Sequence, residues 1–306
     1  SREIANNSVN GVYDPKKAQH KAYVKRKNSK YQGMKIAQDN QLRGYVENNI
    51  RSDWSPEQVA GRLQNIDTHI KYASRSAIYK YIYSVYGRQL EQYLRYRGKK
   101  RKQRKQKSAQ IKNRTFIDER PEIINNRARF GDWEGDLIVS GKKGKGVLLV
   151  LHERKTRFPV VERIMSRKTA TINDRIDKIT GGFVCFNSLT IDSDISFQKH
   201  EELSQILAAP IYFCHPYHAW EKGGVENTNK LIRQYVPKGS DVSKFSAKYI
   251  KEIALKLQGR PRKCLGYKKP FEVMAENNQF KIPFLFEENK LKFEVNKNRP
   301  SVALEG

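Results

Sequence analysis

The chain has 306 residues, of which 38 % are hydrophobic, and carries 60 Lys and Arg against 32 Asp and Glu, a formal net charge of +28. That length predicts two domains or three small ones, and that charge makes a polyanion the leading partner. No stretch approaches the ~20 apolar residues of a spanning helix, no secretory signal pattern is present, and Cys185, Cys214 and Cys264 form neither a disulfide framework nor a CxxC zinc ribbon.

Positive charge is densest at the front. Residues 1–110 hold 25 basic and 8 acidic side chains. Residues 1–30 read as helical and basic. Asn40 to Ser52 places Leu42, Tyr45, Val46 and Ile50 at helical spacing. Ser55-Pro56-Glu57-Gln58 then supplies an N-cap, a proline suited to the first helical position and a capping-box glutamine. Ser74 caps a further helix over Arg75 to Ser84. Two capped helices with an intervening turn predict a helix-turn-helix. The second helix would offer Arg75, Ser76, Tyr79 and Lys80 to base edges; the alternative is an ordinary helical pair in a small bundle. Arg95 to Lys107 follows with nine Lys or Arg in thirteen positions. It reads as a basic linker in which Arg101, Lys102, Arg104 and Lys105 track phosphates, as a flexible tether, or as both.

From residue 119 the pattern changes. Strands are predicted over Asp132–Val139, Gly146–Arg157, Phe158–Ile164, Phe183–Asp192 and Pro210–Phe213, with Gly141–Gly146 as a hairpin turn, since it lacks the phosphate-loop pattern. Helices are predicted over Lys168–Ile179, Phe197–Ala208 and Glu221–Tyr235. Three meandering strands followed by alternating helices and strands give the element order of a ribonuclease-H-like fold. The expected class is α/β: a mixed five-stranded sheet with flanking helices, preceded by an α-helical helix-turn-helix region.

Asp136 falls in the first of these strands, Asp192 at the end of the fourth and Glu226 near the start of a helix, with 55 and 33 residues between them. In this element order the first and fourth strands are neighbours, so the two aspartates can face one another and a helix on the sheet can bring Glu226 to them. Three carboxylates without His or Cys suit a hard, oxygen-seeking cation such as Mg²⁺, and a pair of such ions supports phosphoryl transfer. On the Glu226 helix, Lys230 and Arg233 share its face and are expected to point toward DNA, the alternative being a solvated face. Asn229 is expected to orient a phosphate or Glu226. Glu134 shares the Asp136 face and either shapes the site or forms a salt bridge. Glu153 is expected to pair with Arg154, Lys155 or Arg157. Arg260 to Lys263 is read as a DNA contact or a surface turn. The loop Glu221 to Gly224 is expected to clamp a DNA end, with Trp220 either stacking there or packing in the core; Trp133 is expected in the core. His215 and His218 have metal-ligand spacing, but no complementary ligand cluster is evident, and zinc is not expected.

The segments GDWEGDLIV at 131–139, HERKTRF at 152–158, LTID at 189–192, ENTNKLIRQYVPKGSD at 226–241 and GRPRKCLGY at 259–267 resemble bacterial insertion-sequence transposases of the IS-thirty family. SREIANNSVNGVY at the start resembles the end of that family's first helix-turn-helix, and WSPEQVAGRL at 54–63 its second. The resemblance implies a DDE recombinase with Asp136, Asp192 and Glu226 as catalytic and metal-binding acids. Mg²⁺ is the implied cofactor, two ions per site with Mn²⁺ as a substitute, Asp136 bridging them. Where the family usually continues its second acid with Asn-Gly, this chain has Ser193-Asp194, so Asp194 is an additional nearby carboxylate. The implied activity is cleavage and strand transfer at terminal inverted repeats. Two alternatives remain: a nuclease of this fold without strand transfer, and a domesticated DNA-binding regulator. Implied partners are the terminal repeats and target DNA, in a homodimer or larger synaptic assembly, with no membrane; the implied location is cytoplasmic and nucleoid-associated. The expected division is 1–39 as the remnant of a first module, most of which would lie upstream, 40–90 as the helix-turn-helix domain, 91–118 as linker, 119–280 as catalytic domain and 281–306 as an unassigned extension.

Overall fold

The computed structural model describes residues 2–30, 34–95, 111–141, 144–215 and 218–281. The basic run holding Arg101, Lys102, Arg104 and Lys105, and the extension after Lys281, lie outside them. The chain forms two compact units, Ser1–Gln106 with Leu255–Pro270, and Lys107–Ala254 with Phe271–Gly306.

The first unit opens with α1 (Arg2–Asn7), a hairpin of β1 (Ser8–Val9) and β2 (Val12–Tyr13), and α2 (Pro15–Lys30). Asn10 and Gly11 close the hairpin with φ of 49° and 81°, the left-handed pair that a two-residue turn requires. Then come α3 (Met34–Gln38), α4 (Asn40–Arg51), α5 (Pro56–Asn65) and α6 (Arg75–Ile82). The capping box at Ser55 and Gln58 forms, and the Ser74 hydroxyl accepts from the Ala77 amide. Leu42, Val46, Ile50, Val59, Leu63, Ile78 and Ile82 make one buried core. The connection from α5 to α6 spans residues 66–74, longer than the three or four residues of a tight helix-turn-helix. It is pinned by Asp67, which accepts from Arg62 Nε at 3.1 Å and from the Tyr45 hydroxyl at 2.5 Å.

Leu255–Pro270 was expected inside the catalytic domain but packs with these front helices. Gln58 donates to the Pro261 carbonyl at 2.7 Å and accepts from Arg260 Nε at 3.0 Å. Arg260 and Arg262 are buried, so neither alternative read for this basic run, DNA contact or surface turn, holds for these two side chains. A Cβ on Gly61 would lie 2.3 Å from the Tyr267 ring, so only glycine lets this segment seat on α5.

The second unit is a six-stranded sheet in the order β3-β8-β7-β4-β5-β6. Its strands are β3 (Thr115–Phe116), β4 (Asp132–Val139), β5 (Val147–Glu153), β6 (Pro159–Ile164), β7 (Ser188–Ile191) and β8 (Ile211–Phe213). The remaining helices in chain order are α7 (Glu122–Asn125), α8 (Thr169–Thr180), α9 (His200–Leu207), α10 (Gly223–Ile232), α11 (Ala247–Gln258) and α12 (Pro270–Glu276). β4, β5 and β6 form the expected antiparallel meander, and β7 and β8 add in parallel, the ribonuclease-H-like arrangement. Two details differ from expectation. β3 is a sixth strand, too short to show periodicity, paired parallel to β8. The strand expected from Phe183 starts only at Ser188; before it, the Phe183 amide turns back to the Thr180 carbonyl and the Val184 amide goes to the Gln279 carbonyl. Trp133 is buried against Phe183 and Phe186, in the core as expected.

Gly61→Ala forces the Tyr267 ring off α5 and should cost about 1–3 kcal/mol in denaturant unfolding. In a Tyr267→Ala background the same change should cost much less, because the two residues share one contact.

Candidate active site

The parallel pairing of β4 with β7 sets Asp132 opposite Ser188, Trp133 opposite Leu189 and Glu134 opposite Thr190. Continued by two residues, that register brings Asp136 opposite Asp192, where β7 has just ended. Both carboxylates meet one side chain, the Lys222 ammonium, at 3.2 Å from Asp136 Oδ1 and 3.3 Å from Asp192 Oδ2. Sequence reasoning did not single out Lys222; the loop holding it was expected to clamp DNA. Here Lys222 is buried and turned inward between the two acids. The side chains of Ala219 and Trp220 lie outside what is described.

α10 is tied to the sheet at three successive points. The Val225 amide donates to Glu134 Oε2 at 2.8 Å, the Thr228 hydroxyl pairs with His152 Nδ1 at 3.0 Å, and the Asn229 amide donates to Asp136 Oδ2. Asn229 therefore orients Asp136, a partner that the sequence did not suggest. Glu226 is half-buried in the first turn of α10, where the helix dipole favours a carboxylate. Asn229 lies three residues on, so the two share a helix face, of which Asn229 is the residue that contacts Asp136.

Glu134 is buried and forms an ion pair with buried Arg154. The salt bridge read for it is thus present, and its other oxygen holds the start of the helix that carries Glu226. A Cβ on Gly224 would lie 2.7 Å from Glu134 Oε2 and from His152, so glycine permits this close approach. Glu153 does not take the basic partner expected of it. It accepts from the Gly131 amide at 3.1 Å and from the Thr156 amide and hydroxyl at 2.5 and 2.7 Å; burial raises its carboxyl pKa, and these donors pull it back. Asp194 is occupied elsewhere: it caps the turn at Ile195–Phe197 and meets Arg167 at 3.4 Å. Glu221 accepts from His215 and His218, each Nδ1 at 3.0 Å, and from the His215 amide at 2.8 Å. The sequence showed no third group beside these histidines; the fold supplies one, and these bonds fix the turn that ends in Lys222.

Asp192 Oδ1 and Asn229 Oδ1 are buried acceptors with no hydrogen-bond partner among the described residues. Burial of this inner oxygen raises the Asp192 pKa, although 43 % of the side chain is exposed. Lys222 lowers it, and the charges of Asp136 and Asp194 raise it further. Unpaired oxygens beside two crowded carboxylates make an all-oxygen donor set that fits a hard divalent cation.

Among the residues read as DNA contacts, Arg75, Ser76 and Lys80 are exposed on α6, with Tyr79 half-buried and stacked on Tyr83 at 6.1 Å. Lys230 is exposed on α10. Arg233 stands at the α10 C-cap with helical dihedrals and donates to the Val236 and Pro237 carbonyls at 3.4 and 3.3 Å; burial lowers its pKa, against the charge of Asp136, which it feels.

No protein-family profile matches the chain. It is 38 % identical over 295 residues to the transposase for insertion sequence element IS4351 of Bacteroides fragilis, covering 92 % of this chain and 88 % of that one. It is 34 % identical to the transposase for IS1086 of Cupriavidus metallidurans, covering 79 % and 74 %. To the transposase InsI for IS30A of Escherichia coli it is 30 % identical, covering 90 % and 74 %.

Glu134→Ala strands the Arg154 guanidinium and frees the start of α10. It should lower stability by about 3–5 kcal/mol in chemical unfolding. A loss below about 1 kcal/mol would mean that another group neutralises Arg154.

Proposed function

We propose, for a chain that belongs to the insertion-sequence transposases of the IS-thirty family, that it binds the terminal inverted repeats of its element and performs Mg²⁺-dependent cleavage and strand transfer with Asp136, Asp192 and Glu226. The observation that carries this reading is the Asp136–Asp192 pair on neighbouring parallel strands, with Glu226 on a helix that Asn229 fastens to Asp136.

Asp136, Asp192 and Glu226 would hold the divalent cation, which supplies charge neutralisation and activation of an oxygen nucleophile for phosphodiester displacement. The chain's own part is to hold these oxygens in place. Asn229 fixes one oxygen of Asp136, and the Val225 amide bond to Glu134 fixes the start of α10. The scissile phosphodiester is attacked first by water, freeing a 3′-hydroxyl, and that hydroxyl then attacks a phosphodiester of the target DNA. Both steps are in-line displacements of the same type, so one set of acids serves both. Arg75, Ser76, Tyr79 and Lys80 on α6 would read the terminal repeats, and Lys230, with the basic run after Arg95, would meet backbone phosphates. Two ends must be processed together, so a dimer or larger assembly belongs to this reading.

A labelled terminal-repeat duplex with a plasmid target tests it. Asp136→Asn, Asp192→Asn and Glu226→Gln should each lower joined product by roughly a thousandfold or more while gel-shift binding of the duplex persists. Cleavage without joining by the wild type would favour the nuclease, and full activity of Glu226→Gln would overturn the triad.

Separate changes on α6 and α10 should part affinity from specificity. Arg75→Ala should weaken repeat binding by about 1–3 kcal/mol and relax discrimination at one base pair. Lys230→Ala should weaken binding evenly across sequences and lower the salt dependence by about one counterion. Equal loss on repeat and random duplexes for Arg75→Ala would remove it from base readout.

A further inference from the structure

Lys222 stands where an ammonium is hardest to keep. It is 5 % exposed, and taking a cation out of water is costly. It is also the N-cap residue of α10, where the helix dipole presents partial positive charge and repels a cation. Its ammonium nonetheless lies 3.2 Å from Asp136 Oδ1 and 3.3 Å from Asp192 Oδ2. Among the described residues the ammonium is held by these two carboxylates against two opposing terms. The carboxylates need it equally, since like charges this close disfavour joint ionisation. The turn that delivers it is built for the purpose: the Glu221 bonds to His215 and His218 fix the residue immediately before it.

We infer that Lys222 is an internal counter-cation of the catalytic aspartates, occupying the charge position that a divalent ion takes and leaving it when that ion binds. The inference rests on the proposed metal role of Asp136 and Asp192. Two cations cannot share these oxygens without strong repulsion, so metal loading and the inward position of Lys222 exclude one another. In the ion-free protein the ammonium keeps the two strand ends together. Metal binding then works against an ion pair already formed, which weakens affinity for a free ion by the cost of displacing the amine. The acids are held ready without standing as a bare anionic site.

The test is Mn²⁺ binding to the full chain by titration calorimetry and by loss of the free-ion paramagnetic resonance signal. Wild type is compared with Lys222→Met, Lys222→Gln and Asp192→Asn. Both neutral Lys222 variants should bind Mn²⁺ roughly tenfold more tightly than wild type and melt lower in EDTA. A lysine with a merely structural role would lower the melting temperature without tightening metal binding. Unchanged or weaker Mn²⁺ affinity in folded Lys222 variants, with Asp192→Asn impaired, overturns the counter-cation and leaves the triad standing. Asp192→Asn binding as well as wild type overturns both. A second measurement needs no variant. Acetylation of Lys222 in the wild type, read by peptide mass spectrometry, should be slow in EDTA and rise several-fold with Mn²⁺. Equal modification with and without Mn²⁺ overturns the displacement.

Discussion

Two carboxylates side by side at the ends of adjacent parallel strands repel one another, and the catalytic unit is organised around that repulsion. The β4–β7 register makes the juxtaposition unavoidable, because Asp132 opposite Ser188 fixes Asp136 opposite Asp192. A one-residue slip would turn every side chain of the strand to the other face, and Trp133, Leu137 and Val139 would leave the core cluster they pack in. The register that places the acids is thus held by apolar burial on the opposite face, and the acids contribute nothing to holding it. Their repulsion is answered by a single ammonium delivered from the turn before α10.

The same helix carries the third acid, so its attachment matters more than its own stability. A ten-residue helix is marginal alone, and α10 depends on what it packs against. Val225, Leu231 and Ile232 are buried, and Glu134, His152 and Asp136 each bind one of its residues. The polar ties come from β4 and β5, which pair as an antiparallel hairpin. That hairpin is itself fixed from beyond α10: Asp241 accepts from the Lys145 amide at 2.9 Å and the Gly141 amide donates to the Ser240 carbonyl at 3.1 Å. A Cβ on Gly141 would lie 2.3 Å from the Gly239 carbonyl. The run from Glu226 to Asp241 thus carries an acid at one end and, at the other, locks the hairpin of the strand that carries Asp136.

What could be read from the sequence was what local chemistry writes down. Ser55-Pro56 with Gln58, and Ser74, are capping signals acting within four residues, and the structure realises both. The meander and the β4–β7 adjacency followed from strand order alone. Contacts between residues far apart in the chain left no such trace. Nothing in GRPRKCLGY shows that Arg260 binds Gln58, about two hundred residues earlier; the basic character of the run pointed to DNA, and only the fold shows that the charge is turned inward. Arg233 is a partial case, since helical spacing put it on the side of the acids, where it feels Asp136, but did not show its bonds to the carbonyls that follow α10.

Lys222 is the clearest case of a residue whose role the sequence hides. A lysine beside a glutamate in a glycine-rich loop reads as a solvated cation, and the overall excess of positive charge strengthens that reading. What reverses it is the pair of aspartates, which lie 86 and 30 positions away in the chain and become its neighbours only once β4 and β7 have paired. Its charge then does the opposite of what composition suggests: it is spent on the protein's own acids and withheld from a polyanion. In a chain with a net charge of +28 the acids are the scarce groups, and the fold sets one of the abundant cations against two of them.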